Sequence, residues 1–338
     1  MRLQPLLSSV KSQIREGLHR STYWFYVKRY NQRPNLVLFL SDSNGQLVGN
    51  QAAIAEELSR RNISYESVLR AGLHIRRGFS EYRRLFRLLA QAPVVILDDY
   101  YPMIYRLTLR PGTELLQVWH ASGAFKTMGF SRVGKPGGPS ITSKSHRNYT
   151  SVIVSSPHIR HDWAEAFGVP IERVHATGIP RTDPFFNTEF VADSAARIRR
   201  DLQVPEQKKL ILFAPTFRGN GQLTAHYNFD WINWKDLADQ LGNEYIFGVK
   251  MHPFVSDKSA GIFEDERILD LSEFSDINGL LMATDILITD YSSVIFDFSL
   301  LGRPVIFFCP DLEDYVATRD FYYPFSDYTY GPVARSSA

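Results

Sequence analysis

His120 directly follows an apolar run, and imidazole is the side chain best suited to take a proton near neutral pH. The run covers residues 115–119 and is typical of a β-strand, and the small residues Ala121, Ser122 and Gly123 come after the histidine. A histidine at a strand end can act as a general base or be a structural residue. The spacing leaves both interpretations open and makes His120 the candidate for proton transfer.

Two further strand ends carry cations and a second histidine. Thr216 and Arg218 follow one apolar run, and Lys250 and His252 follow the next. Arginine makes bidentate contacts with phosphate, and ligands of open parallel sheets lie outside the carboxyl ends of the strands. The pattern therefore predicts a phosphate-binding group. The alternatives are a surface ion pair for Arg218 and a structural role for His252.

The segment 286–297 also predicts a phosphate site. An apolar strand ends at Thr289 and a helix should begin near Ser292, so Ser292 and Ser293 offer hydroxyls beside unpaired N–H groups. Asp297 lies one helical turn further on the same face, where a carboxylate can accept hydrogen bonds from ribose hydroxyls. The alternative is that Ser292 only caps the helix.

Short apolar runs that alternate with helical stretches position these residues. From residue 34 onward this alternation predicts the α/β class, with parallel, doubly wound sheets. The series breaks at the proline-containing segment 178–187 and then restarts, which predicts two domains that face each other across a cleft. The predicted domains are residues 34–187 and 188–338, preceded by a helical segment at 1–33.

Composition excludes several classes of protein. Hydrophobic residues make up 44% and charged residues 22% of the chain, which is enough apolar material for packed cores. The net charge of +2 argues against a nucleic-acid binder. The single cysteine, Cys309, excludes a disulfide framework and a cysteine-built zinc site. We expect no metal site, and the Asp98-Asp99 pair only weakly suggests one.

Residues 1–33 differ in charge from the rest of the chain. They hold seven cations and one anion, whereas the other 305 residues hold 31 cations and 35 anions. Leu7, Val10, Ile14 and Leu18 recur at helical spacing, and an aromatic cluster follows at 23–26. Cations beside an apolar stripe suit an anionic bilayer surface, where each contributes about 1 kcal/mol. We therefore expect a basic amphipathic membrane-association segment. The alternative is a helix packed on its own domain.

An ordered set of motifs resembles the CDP-glycerol glycerophosphotransferase family and covers roughly residues 35–333. The motifs are Gln117-Val-Trp-His120, Gly178-Ile-Pro-Arg181-Thr-Asp183, Ala214-Pro-Thr-Phe-Arg218, Lys250-Met-His252-Pro253, Asp276-Ile-Asn278, Thr289-Asp-Tyr-Ser-Ser-Val-Ile-Phe-Asp297, Arg303-Pro304-Val and Gly331-Pro332. The resemblance implies a GT-B architecture of two Rossmann-like domains, with the donor nucleotide in the second domain and the acceptor in the first. Family members usually continue beyond the last motif, so the second domain is expected to be shortened at its end.

The resemblance also implies roles for individual residues. His120 matches the general base and His252 the histidine that contacts the donor pyrophosphate. The matching donor-binding positions are Arg218, Ser292 and Ser293 for phosphate and Asp297 for ribose, with Thr216 and Lys250 in the same motifs. Further candidates are Arg181, Asp183, Asp290 and Lys126.

The implied reaction transfers a polyol phosphate, glycerol phosphate first, from a CDP-polyol to an acceptor hydroxyl and releases CMP. The implied partners are CDP-glycerol or CDP-ribitol, a polyprenyl-diphosphate-linked saccharide or polyol-phosphate acceptor, and an anionic membrane surface, with no nucleic acid. The enzyme would be peripheral on the cytoplasmic face of the plasma membrane, act in teichoic acid synthesis and need no cofactor or metal. Two alternatives remain: a GT-B sugar transferase that uses a nucleotide sugar, and a non-catalytic module that docks on membranes or polymers. The motifs leave open glycerol or ribitol, primase or polymerase, acceptor identity and oligomeric state.

Overall fold

A computed structural model describes residues 3–72, 74–219, 224–252, 254–255 and 262–337, with side chains from residue 13 onward. Some sequence predictions therefore lie outside the described residues. They concern residues 1 and 2, the side chains of Leu7 and Val10, Pro253 and the end of the chain at Ala338.

The chain divides into two compact units. The first comprises Met1–Ala124 and Met128–Arg181, and the second comprises Phe125–Thr127 and Thr182–Ala338. The sequence places the boundary slightly later, after residue 187, and treats 1–33 as separate. It gives no indication that the three-residue segment 125–127 belongs with the second unit.

The first unit is a doubly wound α/β domain. Its elements are α1 (Leu3–Arg29), β1 (Val37–Ser41), α2 (Gly49–Arg60), β2 (Tyr65–Leu69), α3 (Phe79–Gln91), β3 (Val94–Leu97), β4 (Glu114–Gln117), β5 (Ser151–Val154), α4 (Arg160–Phe167) and β6 (Val174–Ala176). The strands form a parallel sheet in the order β2-β1-β3-β4-β5-β6. All five residues of β1 are buried, as expected for a central strand of a sheet that is covered on both faces.

The second unit repeats this architecture. Its elements are α5 (Thr188–Asp201), β7 (Lys209–Phe213), α6 (Trp234–Gln240), β8 (Tyr245–Val249), β9 (Ile268–Asp270), α7 (Ile277–Ala283), β10 (Ile286–Thr289), α8 (Val294–Ser299), β11 (Val305–Phe308), α9 (Leu312–Arg319) and β12 (Val333–Ala334). The strands again pair in parallel, in the order β12-β11-β10-β7-β8-β9. The predicted α/β class with parallel doubly wound sheets is confirmed.

Alternating side chains of the strands build a core on each face of the second sheet. Leu210 and Leu212 of β7 pack with helix residues of α5, α7 and α8. Phe213 of β7 points to the opposite face and packs with Val249 of β8 and with α6. Because all of these strands are parallel, the polar residues that follow each strand lie at the same carboxyl edge of the sheet.

Helix α1 packs against the first unit through its second half. Tyr23 is fully buried, Tyr26 and Val27 are also buried, and the Tyr23 hydroxyl accepts the backbone N–H of Arg110 at 2.9 Å. The predicted aromatic cluster therefore contributes to the core of this unit. No helix in the described part of the chain is long and apolar enough to cross a bilayer.

Candidate functional site

The segment that presents His120 has a strained backbone. Trp119 follows β4 with a φ of 46°, a left-handed conformation that costs a non-glycine residue about 1–3 kcal/mol. Its N–H donates to the Gln117 side-chain carbonyl at 2.9 Å, and its C=O accepts from the Asn50 side-chain amide at 2.9 Å. Buried amides on both sides therefore hold the turn from which His120 projects.

His120 is exposed, and its geometry suits a general base. The imidazole stacks on the Trp119 ring with 4.6 Å between centroids, and Nδ1 lies 3.4 Å from the backbone carbonyl of Asp98. A carbonyl only accepts hydrogen bonds, so this contact requires the proton on Nδ1. The lone pair then resides on Nε2, where it can receive a proton from a hydroxyl group.

Asn50 connects the His120 segment to the Arg181 motif. Its amide donates to the carbonyls of Val118 and Trp119, at 3.0 and 2.9 Å, and its Oδ1 accepts the backbone N–H of Arg181 at 3.0 Å. The Arg181 guanidinium donates to Ser122 Oγ at 3.1 Å. The first unit thus brings together two predicted candidates through Asn50. Asn50 lies in the first turn of α2, where an asparagine has no distinctive pattern, so the sequence gives no signal that would select it.

In the second unit, Arg218 is committed to internal contacts. Its guanidinium donates two hydrogen bonds to Asp311, at 2.7 and 2.8 Å, one to Asp290 at 3.0 Å, and one to the Thr216 carbonyl. Among the described residues these contacts use four of the five guanidinium N–H groups. This geometry does not favour the predicted role of Arg218 as a phosphate ligand, because two carboxylates already neutralise the charge of the guanidinium.

Asp290 is the buried partner at the centre of this network. Its carboxylate accepts the backbone N–H groups of Thr216 and Tyr291 as well as Arg218. Burial raises the pKa of Asp290, while Arg218 opposes that shift. Thr216 Oγ1 is buried and has no hydrogen-bond partner within the described part of the chain. Asp290 therefore holds the segment after β7 in place.

Lys250 is likewise turned inward. Its ammonium lies 3.4, 3.3 and 2.7 Å from the carbonyl oxygens of Leu271, Ser272 and Phe274. Burial lowers its pKa, opposed by Glu273 and Asp270. Carbonyl groups of the loop after β9 accept the N–H groups of Lys250. This geometry therefore does not favour the predicted contact of Lys250 with the nucleotide donor.

Lys126 and His252 are the groups of the second unit whose chemistry suits a diphosphate. Lys126 belongs to the segment that packs with this unit, and its backbone pairs antiparallel with Phe321. Burial lowers the pKa of Lys126 to about 8, with further lowering from Arg319 and Arg218 and an opposing effect of Asp290.

The His252 imidazole is packed and neutral. Its ring lies 4.7 Å from Phe217 and 4.6 Å from Phe254 between centroids, and Nδ1 accepts the Phe254 N–H at 3.1 Å. Burial, followed by the charges of Lys126 and Lys250, lowers the pKa of His252 to about 4. The proton of the neutral ring therefore lies on Nε2, which can donate a hydrogen bond to a phosphate oxygen.

The remaining candidates lie around α8 and the boundary of the units. Ser293 precedes α8 without a side-chain cap, and Ser292 Oγ accepts the Val294 N–H at 3.5 Å. Asp297 lies inside this six-residue helix and is only 3% exposed. Asp183 is exposed. Within the described residues, no group of three or more His, Cys, Asp or Glu side chains has the arrangement of a metal site.

Sequence comparison identifies the chain's relatives. The model of the family described as CDP-Glycerol:Poly(glycerophosphate) glycerophosphotransferase matches residues 22–338. The teichoic acid poly(ribitol-phosphate) polymerase of Bacillus spizizenii is 47% identical over 308 residues, which are 90% of this chain and 50% of that protein. The ribitol-phosphate polymerases TarK and TarL of Staphylococcus aureus are 42% and 40% identical over 90% and 95% of this chain. The chain spans 50–61% of the length of these relatives.

Structural comparison agrees at the level of fold. The wall teichoic acid polymerase TagF matches 99% of this chain and 85% of its own chain, with a TM-score of 0.78 and 24% identity. This similarity supports the same α/β architecture.

Proposed function

Because the chain belongs to the CDP-glycerol:poly(glycerophosphate) glycerophosphotransferase family, we propose that it transfers a polyol phosphate from a CDP-polyol to an acceptor hydroxyl in teichoic acid synthesis. The observation that carries the proposal is the geometry of His120. Its imidazole is exposed, and the Asp98 carbonyl selects the tautomer whose Nε2 can take a proton.

We propose ribitol phosphate as the transferred group. Curated relatives named for ribitol phosphate are 40–47% identical to this chain, whereas those named for glycerol phosphate are 30–34% identical. This order supports CDP-ribitol above CDP-glycerol, which the motifs alone put first. A panel of CDP-ribitol, CDP-glycerol and a UDP-sugar, followed by nucleotide release, tests the choice.

The chemistry is a substitution at phosphorus. The acceptor oxygen forms a bond to the phosphorus that bears the polyol, the phosphoanhydride bond to the CMP phosphate breaks, and CMP leaves. His120 Nε2 receives the hydroxyl proton as the new bond forms. A positioned base of this kind typically contributes 10²–10⁴-fold to the rate.

Donor binding is assigned to the second unit. The Lys126 ammonium and the His252 Nε2–H would contact the diphosphate and stabilise the negative charge that develops on the departing CMP. Ser292 and Ser293 remain candidates for further phosphate contacts, and Asp297 for the ribose. Arg218 and Lys250 act as positioning residues, because their donors hold the loops on which these groups lie.

We also propose that the acceptor is linked to a membrane lipid and that the enzyme attaches peripherally to the same surface. The support is the exposed apolar side of α1, where Ile14, Leu18 and Phe25 are each more than 60% exposed. Seven cations lie in the same segment of the sequence.

Replacement of His120 tests the proposed function. His120→Ala should lower the rate of CMP release by at least about 10²-fold, while calorimetric CDP-ribitol affinity stays within about two-fold of the unmodified protein. The matched control is His175→Ala, because His175 is also an exposed histidine of the first unit. Loss of donor binding in His120→Ala, or an unchanged rate, would refute this division of roles.

A further inference from the structure

The first unit contains a cationic cavity separate from the His120 segment. Its volume is about 240 Å³. Helix α1, the strand ends of β1 and β2 and the segment 102–106 contribute to its walls. Its charged and titratable lining includes Arg15, Glu16, His19, Asp42, Arg70, Arg77 and Arg106.

Positive charge exceeds negative charge in this cavity. Asp42 is buried and pairs with both Arg70, at 3.0 Å from Nε, and Arg77, at 2.7 Å. Glu16, the other carboxylate of the lining, pairs with Arg20 and Lys144, at 2.8 and 2.9 Å. Arg106 also acts electrostatically on Glu16. Four arginines thus share the cavity with two carboxylates, which leaves an excess of positive charge in its lining.

The pKa of His19 is also affected by this excess of positive charge. Burial lowers its pKa, and the charges of Arg15 and Arg106 lower it further. A neutral imidazole in the same lining as these guanidinium groups offers hydrogen bonding without adding charge. An anion placed here would therefore be attracted by Arg15 and Arg106 and could also contact His19.

The cavity lies along the same sheet edge as His120. Asp42 follows β1 and Arg70 follows β2, while His120 follows β4 in the order β2-β1-β3-β4. Ser41 Oγ donates to the Asp98 carboxylate at 3.1 Å, and the Asp98 carbonyl contacts His120. Two to three strand spacings separate the cavity from His120, which is about 10–15 Å.

We propose that this cavity binds a phosphodiester of the acceptor chain, upstream of the hydroxyl that His120 activates. The proposal rests on the proposed function, because a polyol-phosphate acceptor carries one negative charge in every repeat. A chain whose terminal hydroxyl lies at His120 runs along the sheet edge and presents an earlier phosphate to Arg15 and Arg106. The enzyme would thereby favour acceptors that already contain several repeats.

The test uses the double substitution Arg15→Gln and Arg106→Gln, with Arg200→Gln as the charge-matched control. Arg200 is exposed on α5 of the second unit. Synthetic ribitol-phosphate oligomers of two and six repeats are titrated calorimetrically, together with CDP-ribitol and with phosphatidylglycerol vesicles that lack acceptor. The single variant Arg15→Gln guards against misfolding of the double variant, because Arg15 is exposed on a helix surface.

Affinity for the six-repeat oligomer should fall at least about ten-fold in the double variant and less in Arg15→Gln. Binding of the two-repeat oligomer and of CDP-ribitol should stay within about two-fold, and Arg200→Gln should behave as the unmodified protein. Vesicle binding should weaken less than six-repeat binding, because Arg15 is only one of the seven cations of the basic segment 1–33. An equal loss on vesicles assigns the cavity to lipid headgroups and overturns the proposal.

The remaining outcomes separate the two proposals. If the protein binds the donor and transfers the polyol phosphate, but the variants keep the full affinity for the six-repeat oligomer, the subsite is overturned and the proposed function stands. No CDP-polyol binding, together with the expected loss of oligomer affinity, overturns the proposed function and retains the anion site. No oligomer binding by the unmodified protein overturns the subsite outright.

Discussion

At the scale of single residues, Asn50 is the side chain on which the placement of His120 depends. Asn50 is 3% exposed, and its side chain makes three hydrogen bonds, to Val118, Trp119 and Arg181. Asn50→Asp keeps the shape but replaces the amide donors by oxygen, which faces two carbonyls. Losing these bonds typically costs about 1–3 kcal/mol, and it releases the strained Trp119 turn.

We therefore expect Asn50→Asp to lower kcat for CMP release about 10–100-fold with little change in the KM for the donor. The acidic limb of the pH–rate profile should also move, because the environment of His120 changes. Exposed Asn243 supplies the control Asn243→Asp. A normal kcat with an unmoved pH profile would remove Asn50 from the role of positioning residue.

The lowered pKa of Lys126 predicts how binding of the CDP-polyol donor depends on pH. Its pKa is lowered to about 8, so in the free protein the ammonium is charged below pH 8 and increasingly neutral above it. The diphosphate of a CDP-polyol stays ionised over this range. CDP-ribitol affinity should therefore be constant up to about pH 7 and fall as pH rises through 8, by at most about ten-fold per pH unit.

The variant Lys126→Arg distinguishes this cause from others. Arginine stays charged throughout, so the decline between pH 8 and 10 should disappear while affinity at pH 7 changes little. Calorimetric titrations at several pH values provide the measurement. A flat affinity in the unmodified protein, or the same decline in Lys126→Arg, contradicts the assignment of Lys126 to the diphosphate.

The residue scale also shows what sequence could not predict. Residue type and position after a strand are enough to select His120 and His252. The orientation of Arg218 depends on Asp311, which is 93 positions away, and that of Lys250 on carbonyls more than 20 positions away. Such pairings arise only when the chain folds. An arginine or lysine that binds phosphate therefore cannot be distinguished in the sequence from one that pairs within the protein.

At the scale of elements, apolar runs predict the central strands within about two residues and miss short edge strands. The sequence predicts strands at the apolar runs 94–97 and 245–249, and β3 and β8 have these bounds. The run 115–119 ends two residues after β4. β6, β9 and β12 contain only two or three residues and lie at sheet edges. A strand this short has too few positions to show alternation, so its pairing partner decides its conformation.

The ion-pair network around Arg218 couples three elements of the second unit. It joins the segment after β7 to Asp290 after β10 and to Asp311 before α9. Arg218→Met leaves both carboxylates in a low-dielectric site without the guanidinium that pairs with them. We expect a loss of about 3–5 kcal/mol in the free energy of unfolding, measured by urea denaturation.

Two further variants isolate the cause of that loss. Adding Asp290→Asn to Arg218→Met should recover part of the stability, because one uncompensated buried charge is removed. Arg267→Met breaks a more exposed pair with Asp265, in which the side chains are 22% and 27% exposed, and should destabilise the protein far less than Arg218→Met does. Equal losses for Arg218→Met and Arg267→Met would show that the network adds no special stability.

At the scale of the whole molecule, the amino-terminal segment combines an excess of positive charge with exposed apolar side chains. The first 33 residues carry a net charge of +6, and the remaining residues carry −4. Ile14, Leu18 and Phe25 fall on one side of α1 at helical spacing and are 66%, 64% and 62% exposed. The opposite side of α1 is used for packing, which leaves this side for another surface.

Vesicle binding tests whether that surface is a membrane. Replacing Ile14, Leu18 and Phe25 together by serine removes apolar groups worth about 1.5–3 kcal/mol each when buried, while all cations remain. Sedimentation with phosphatidylglycerol vesicles should show at least about 100-fold weaker binding. The matched control replaces the exposed Ile141 and Phe186 by serine and should bind normally.

Salt separates the two contributions. Raising ionic strength from 0.15 to 1 M shortens the screening length from about 8 to 3 Å, so the electrostatic part of binding should weaken in both proteins. The unmodified protein should retain residual binding at 1 M salt through its apolar side chains, and the triple variant should retain none. If the triple variant binds as tightly as the unmodified protein at both salt concentrations, α1 contacts the membrane by charge alone or not at all. The exposed side of the helix must then serve a different partner.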